Sequence, residues 1–355
     1  MRHFIALCGV FLLAAAPARA ADAVPATSYF PVLPFDATDE AVPQWVPMAA
    51  NHAIEGTHPG VTRVIIAVHD DSRDANGAVA TMSALAGNAN ATTLIIAPQF
   101  LLPSDIGRFA DYLPDHGKAF AAWQINGWAA GDDSAPTQIQ KGVSSFTVID
   151  LLLMYLTDRN AFPDLHGVTV AGFGAGGSFV QHYAAFGLAA DRLAQQNIDL
   201  RYVVAASPSY LYLTATRPLG GRKGFGVPDM AACPAYNAYP YGLDKLNAYG
   251  RHVGGNEAKT GYATRFITYV NAAASDAVPA SDCAALVQGA DSATRAANYK
   301  FYLQSLYGDV AARTQTFALA RDGKNDAVSL FGSVCGMAAL FGDGLCVQKN
   351  FGEDR

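Results

Sequence analysis

The stretch GVTVAGFGAGG at residues 167–177 constrains this chain more than any other. An apolar, β-branched run typical of a buried strand enters a glycine-rich turn, and a helical pattern follows the turn. A turn so tight requires small residues two positions before and two positions after its apex. Gly172 and Gly176 meet that requirement around Gly174, and Gly177 adds room for close helix packing. The sequence therefore predicts a sharp strand-turn-helix unit with its apex at Gly174.

This frame matches the G-x-S-x-G motif, in which an apex serine projects above the edge of a sheet. Here the apex is Gly174, and glycine relieves the strain that a positive φ imposes on other residues. The backbone N–H of Ala175, the next residue, is expected to point to the same spot and to form half of an oxyanion hole. The sequence thus keeps the backbone of a nucleophile site and lacks the side chain.

Strand and helix patterns alternate along the chain. Continuous apolar runs predict six buried strands, and three other segments have helical spacing. The predicted strands cover 61–70, 92–100, 167–174, 200–209, 264–273 and 314–320, and the predicted helices cover 144–158, 176–194 and 292–308. This alternation predicts an α/β fold with a doubly wound, mainly parallel sheet. Residues 21–60, rich in Pro and Ala, are expected to form an extended lead-in.

Residues 210–262 interrupt the alternation. This segment is rich in Tyr, Gly and Pro and follows the carboxyl end of a predicted strand. Ligands of open α/β sheets bind at that edge, so an irregular insertion there is a candidate lid or pocket wall. A surface loop held by Cys233 is the alternative.

The N-terminal residues 1–20 have the pattern of a secretory signal peptide. An apolar run from Phe4 to Ala16 follows a basic start and precedes an A-x-A cleavage site. The run is too short to span a bilayer, which argues against a membrane anchor. We therefore expect a secreted or periplasmic protein without a transmembrane segment, in which residues 21–355 form one domain.

Four cysteines follow the signal peptide, and an even number in an exported protein suggests two disulfides. Three pairings are possible. We favour Cys335 with Cys346, because the segment between them is compact enough to turn back on itself. Cys233 with Cys283 then follows by elimination.

Charge, spacing and glycine patterns argue against several classes of partner. The formal net charge is −6 and no basic block is present, so no nucleic acid is expected. The sequence has no C-x-x-C or H-x-x-x-H spacing, so it gives no indication of a metal site. Gly172, Gly174 and Gly177 also match G-x-G-x-x-G, but their strand is the third of the chain and no acidic residue closes the next one. We therefore expect no cofactor.

The order of several short stretches makes the chain resemble the α/β-hydrolases, in particular secreted esterases and lipases whose elbow reads G-H-S-A-G-G. The stretches include HDDSRDA (69–75), LIIAPQF (94–100), SSFTVIDLLL (144–153), GFGAGG (172–177), SPSYLYL (207–213), CPAYNAYPYGL (233–243) and FGSVCGMAALFG (331–342). Together they extend over nearly all of the chain beyond residue 20. The resemblance implies the α/β-hydrolase fold and a site for ester hydrolysis by a Ser-His-Asp triad.

The resemblance places two of the three triad roles on residues that lack the chemistry. Its nucleophile position is Gly174, which has no side chain. Its base position is Asn325, and an amide cannot take a proton from a hydroxyl at neutral pH. Its acid position, Asp276, is retained.

The oxyanion loop implied by the resemblance also departs from the family. Where the loop usually reads His-Gly, this chain has His69 followed by Asp70. The hole would be formed by the backbone N–H groups of Asp70 and Ala175, with a carboxylate beside the developing negative charge. Three altered positions together favour lost chemistry.

The sequence therefore favours a protein that kept a hydrolase fold, lost serine-hydrolase activity and binds a ligand. A set of aromatic residues suits a small apolar or sugar-like ligand, although we expect more than half of them to be packed in the core. They are Phe100, Trp123, Trp128, Tyr210, Tyr212, Tyr236 and Tyr239. A chain engineered to be inactive is a further alternative. Engineering would explain Gly174 and Asn325, but it would not need Asp70 in the oxyanion loop.

The alternative is an active hydrolase that acts through non-standard residues. Its nucleophile would be another serine, or a cation held by the acidic loop 69–74 would assist hydrolysis. The serines considered are Ser72, Ser178, Ser207 and Ser209, and the histidines near the turn are His69 and His182.

Overall fold

A computed structural model of the chain describes residues 28–38, 41–137, 141–220, 224–273, 283–320, 324–342 and 346. Its strands are β1 (Ser28–Val32), β2 (Gln44–Ala50), β3 (Arg63–Val68), β4 (Thr93–Pro98), β5 (Gly167–Phe173), β6 (Asp199–Ala205), β7 (Arg217–Pro218), β8 (Phe225–Gly226), β9 (Phe266–Ala272) and β10 (Gln315–Ala320). The six strands predicted from sequence correspond to β3, β4, β5, β6, β9 and β10.

Eight of these strands form one sheet in the order β1-β2-β4-β3-β5-β6-β9-β10. The six predicted strands pair in parallel, whereas β1 and β2 add an antiparallel edge. The parallel strands are largely continuous buried runs, because helices cover both faces of the sheet. The predicted α/β fold with a mainly parallel sheet is confirmed.

Within the predicted extended lead-in at 21–60, the structure shows two strands of the sheet, β1 and β2, that the sequence did not predict. Pro47 interrupts the apolar pattern of β2, and a proline within a run weakens a strand prediction. In the structure Pro47 pairs with Tyr29 of β1, and its carbonyl accepts from the Gln99 N–H at 2.8 Å. Those partners are distant in sequence, so the local pattern did not reveal the strand.

The helices are α1 (Ala75–Ala86), α2 (Pro103–Phe109), α3 (Ser145–Tyr155), α4 (Ala175–Phe186), α5 (Ala190–Gln195), α6 (Ala248–Val253), α7 (Gly255–Tyr262), α8 (Cys283–Leu286), α9 (Ser292–Tyr307), α10 (Asp309–Thr314), α11 (Ala327–Phe331) and α12 (Val334–Phe341). The predicted helix 176–194 is two helices, α4 and α5, because Gly187 ends the first in an extended conformation. Apolar residues of α1, α11 and α12 pack on one face of the sheet, and those of α3, α4 and α9 pack on the other.

Buried polar contacts made by Arg217 hold different parts of the insertion 210–262 together. The Arg217 guanidinium donates to the carbonyls of Thr214 (2.9 Å), Tyr236 (3.0 Å) and Tyr241 (2.9 Å). It also lies 4.4 Å from the centre of the Tyr212 ring, within cation–π distance. All of these partners lie within the insertion. Its links to the rest of the fold include the Leu211 N–H, which donates to Gln181 Oε1 at 2.9 Å, and the Cys233–Cys283 disulfide.

The disulfides join Cys233 to Cys283 and Cys335 to Cys346. Both favoured pairings are thus confirmed. The first links the insertion to α8, and the second joins α12 to the segment that follows it.

The predicted signal peptide at 1–20 lies outside the described residues. Within the part of the chain that the structure describes, no helix combines the length and the hydropathy needed to cross a bilayer.

Candidate functional site

Strand β5 passes into α4 through the predicted sharp turn, with Gly174 at its apex. Gly174 has a φ of 59° and a ψ of −121°, a conformation that is strained for any residue with a side chain. Its N–H donates to the carbonyl of Ala205 at the end of β6, at 3.0 Å. This bond fixes the apex against the carboxyl edge of the sheet.

The positions on either side of the apex have no room for a side chain, whereas the apex position does. A Cβ atom on Gly172 would lie 2.2 Å from the carbonyl oxygen of Gly176, and one on Gly176 would lie 2.4 Å from that of Val68. A Cβ on Gly174 would meet the Asp70 Cβ at 3.6 Å, which is an ordinary van der Waals contact. The turn thus keeps open space where a side chain would project.

Two matched substitutions test this difference. Replacing Gly174 by Ala is expected to lower the free energy of unfolding by about 1–2 kcal/mol, because backbone strain alone opposes the methyl group. Replacing Gly176 by Ala is expected to cost about 3 kcal/mol, because its Cβ would overlap backbone oxygens of β3. Urea unfolding followed by circular dichroism measures both losses. A larger loss at Gly174 than at Gly176 would show that the apex is closed.

His69, at the end of β3, is buried with both ring nitrogens held by the backbone. Its Nε2 accepts from the Phe100 N–H at 3.0 Å, so Nδ1 carries the proton and donates to the Asp70 carbonyl at 2.9 Å. Burial lowers the pKa of His69 to about 4. The neutral ring therefore has no nitrogen left to take a proton from a serine.

Asp70 places its side chain beside the open apex. Its Oδ1 accepts from the N–H of Ser72 at 2.9 Å and from the Ser72 hydroxyl. Ala175 is the first residue of α4, so its N–H has no acceptor within the helix. The predicted role of the Asp70 and Ala175 N–H groups as an oxyanion hole stays a prediction.

The other two triad positions differ in what the structure shows. Asn325 is partly buried in the turn before α11, and Asp326 caps that helix by accepting from the Ser329 N–H at 2.8 Å. Asp276 lies outside the described residues. The roles of both positions remain predictions.

The alternative serines make local hydrogen bonds. The Ser178 hydroxyl lies 2.9 Å from that of Ser207, which donates to the Ser209 carbonyl at 2.6 Å. Ser178 and Ser207 are both buried. The Ser72 hydroxyl donates a hydrogen bond to Asp70. In the described ranges, no three His, Cys, Asp or Glu side chains converge as metal ligands would.

A cavity of about 200 Å³ opens next to the apex. Its walls come from the end of β3, the loop 69–74, α1, α11 and the residue before the apex. The lining residues are Ala67, Val68, His69, Asp70, Ser72, Asp74, Gly77, Ala78, Thr81, Met82, Phe173, Ala327 and Phe331. The helix residues among them were missed from sequence, although α1 directly follows the loop that carries Asp70.

The aromatic residues suggested as a pocket lining lie in the core instead. Phe100, Trp123, Trp128, Tyr210 and Tyr212 are at most 1% exposed, and none of them lines the cavity. Tyr236 and Tyr239 donate to backbone carbonyls of Ala215 and Ala130. The interpretation of these rings as packed core, rather than ligand contacts, is the one the structure supports.

Two solved structures share this architecture. Poly(aspartic acid) hydrolase-1 from Sphingomonas sp. KT-1 has a TM-score of 0.52 and 17% identity, covering 85% of this chain and 94% of that one. LpqC, a poly(3-hydroxybutyrate) depolymerase from Bordetella parapertussis, has a TM-score of 0.53 and 16% identity, covering 88% of each chain. The chain has the α/β-hydrolase fold. No protein-family model and no curated protein sequence matches it.

The assignment of the turn at Gly174 to the nucleophile elbow of this fold stays a prediction from the sequence. Identities this low establish the fold of the chain and leave its substrate to the chemistry of the site. The cavity next to the turn at Gly174 is therefore the candidate functional site.

Proposed function

We propose that this α/β-hydrolase-fold chain has lost serine-hydrolase activity and binds a small molecule in the cavity beside Gly174. The observation that carries the proposal is the apex itself. It combines the backbone conformation of a nucleophile elbow, open space for a side chain, and no nucleophile. The binding role follows from the cavity, whose polar loop and apolar helix walls are typical of ligand sites.

The expected loss of rate is large. A serine hydrolase without one triad member retains only about 10³–10⁴-fold acceleration over water, from its oxyanion hole and substrate binding. Here the nucleophile position is Gly174 and the proposed base position is Asn325. The Asp70 carboxylate beside the apex would further oppose a developing negative charge.

We also propose that the chain is exported. Disulfides persist in oxidising compartments and are rare in the cytosol, and this chain has two. Together with the signal-peptide pattern at 1–20, they support a secreted or periplasmic location.

The alternative of an active hydrolase with substitute residues finds no support in the hydrogen bonds around the elbow. Backbone groups occupy both nitrogens of His69. Ser178 and Ser207 bond to each other in a buried position. Neither serine has the solvent-accessible hydroxyl that a nucleophile needs.

The test is an esterase assay on the protein that begins at Ala21. We expect turnover of p-nitrophenyl acetate and butyrate to equal that of a heat-denatured sample, and no labelling by a fluorophosphonate. An active serine esterase serves as the positive control. Turnover above the denatured sample that the fluorophosphonate abolishes would overturn the proposed loss of activity.

A further inference from the structure

Ser72 orients the Asp70 carboxylate, and one carboxylate oxygen has no partner among the residues that the structure describes. Ser72 donates both its N–H and its hydroxyl to Oδ1 of Asp70. Oδ2 forms no hydrogen bond or ion pair with the residues that the structure describes. A carboxylate oxygen accepts up to two hydrogen bonds, so Asp70 offers a fixed acceptor at the cavity wall.

Arg73, the basic residue of the same loop, pairs with Asp105 and not with Asp70. Arg73 donates through Nε to one carboxylate oxygen of Asp105 at 3.0 Å and through a terminal nitrogen to the other at 3.2 Å. A third N–H of its guanidinium donates to the Asp71 carbonyl. Of the described residues that line the cavity, none is Lys or Arg, and Asp74 is a second carboxylate. Among the described lining residues, the negative charges of Asp70 and Asp74 therefore have no basic partner, and a positively charged ligand would neutralise them.

Outside the loop 69–74, the walls are apolar except for Thr81, and the space is small. Met82, Phe173 and Phe331 line the cavity, and its volume of about 200 Å³ is below the ~300–1,000 Å³ of sites for drug-sized molecules. Aromatic rings attract cations through their electron-rich faces. Such walls suit a short alkyl chain that ends in a cationic group.

We infer that the ligand is a small organic cation, such as a primary alkylammonium, whose N–H groups bind Asp70 in the open space above Gly174. This inference rests on the proposed binding function of the cavity. The alkyl portion packs against Met82 and Phe331, and the ammonium donates to the oxygen of Asp70 that Ser72 leaves available.

The experiment measures binding of n-butylammonium, n-butanol and butyrate to the protein by calorimetry and by NMR shifts. We expect n-butylammonium to bind most tightly. Replacing Asp70 by Asn should weaken it roughly 10- to 100-fold, the range of a hydrogen bond to a charged group. Asp71→Asn is the matched control, because Asp71 is exposed and does not line the cavity. Ala78→Phe, which fills the cavity, should abolish binding of every probe.

Each outcome separates the inference from the proposed function. If butanol or butyrate binds as tightly as butylammonium and Ala78→Phe removes that binding, the cavity is a ligand site but the cation inference is overturned. Tighter binding of butyrate would show that the N–H groups at the start of α4 dominate over Asp70. Equal losses in Asp70→Asn and Asp71→Asn would assign the attraction to net charge and overturn the role of Asp70. If no probe binds, the cation inference and the proposed binding role of the cavity both fail, whereas the proposed loss of hydrolase activity is decided by the esterase assay.

Discussion

Replacing Gly174 by Ser together with Asn325 by His is expected to create esterase activity in this chain, which we propose to be inactive as a serine hydrolase. The apex already has the backbone conformation of a nucleophile elbow, and a Cβ at residue 174 meets only an ordinary contact with Asp70. We expect kcat/KM for p-nitrophenyl acetate to rise by about 10³-fold, short of the ~10⁶-fold that a complete triad supplies. The shortfall arises because the Asp70 carboxylate remains beside the oxyanion. Adding Asp70→Gly should raise the rate further.

Fluorophosphonate labelling shows whether any new esterase activity comes from the introduced serine. Labelling should appear on Ser at position 174 in the double variant and should be absent from Gly174→Ala with Asn325→His. A single Gly174→Ser variant should remain close to the natural chain, because serine without a base is a weak nucleophile. Full activity in that single variant would show that a base other than residue 325 serves the site.

The second large effect is a loss of stability in mild acid. His69 and His182 are both buried, and burial lowers the pKa of each to about 4 from an ordinary 6.5. Each ring therefore stays neutral in the fold while the unfolded chain takes up a proton below pH 6.5. The free energy of unfolding is fully present above pH 6.5 and falls as the pH drops towards 4. The loss is about 3 kcal/mol for each histidine, a large share of a typical total of ~5–15 kcal/mol.

His182 suits the measurement because it lies away from the cavity, in contact with the insertion. Its Nδ1 lies 3.2 Å from the Ala129 carbonyl and its Nε2 lies 3.1 Å from that of Pro240. A neutral ring donates to only one of these oxygens, so His182→Asn keeps a donor while removing the titration. Urea unfolding of this variant between pH 7 and pH 4 should show a shallower dependence on pH than the natural chain.

A buried carboxylate makes the comparison with a variant necessary. Asp150 accepts from the Tyr183 hydroxyl at 2.7 Å, from two backbone N–H groups and from Tyr249 of the insertion. Burial raises its pKa, so Asp150 favours folding as the pH falls, which opposes the histidines. The difference between the natural chain and His182→Asn cancels this contribution. His166→Gln, at an exposed position, is the control, and an equal change there would contradict the prediction.

The sequence alone determined the features that depend on local spacing. Alternating apolar runs predicted the parallel strands, the glycines predicted the turn at Gly174, and the short span between Cys335 and Cys346 predicted their disulfide. Each of these depends on residues close together in the chain, where steric limits act directly on the pattern. The prediction that the apex has no nucleophile has the same basis, since the position of the apex follows from the small residues on either side of it.

The tertiary structure alone decided which groups near the turn are available for chemistry. His69 looked like a possible base until the Phe100 N–H, 31 residues further along the chain, was found to occupy its Nε2. The aromatic residues were expected mostly in the core, and only the packing shows that none of them lines the cavity, which takes walls from α1 and α11. Burial and hydrogen-bond partners come from segments far apart in sequence, so no local pattern encodes them.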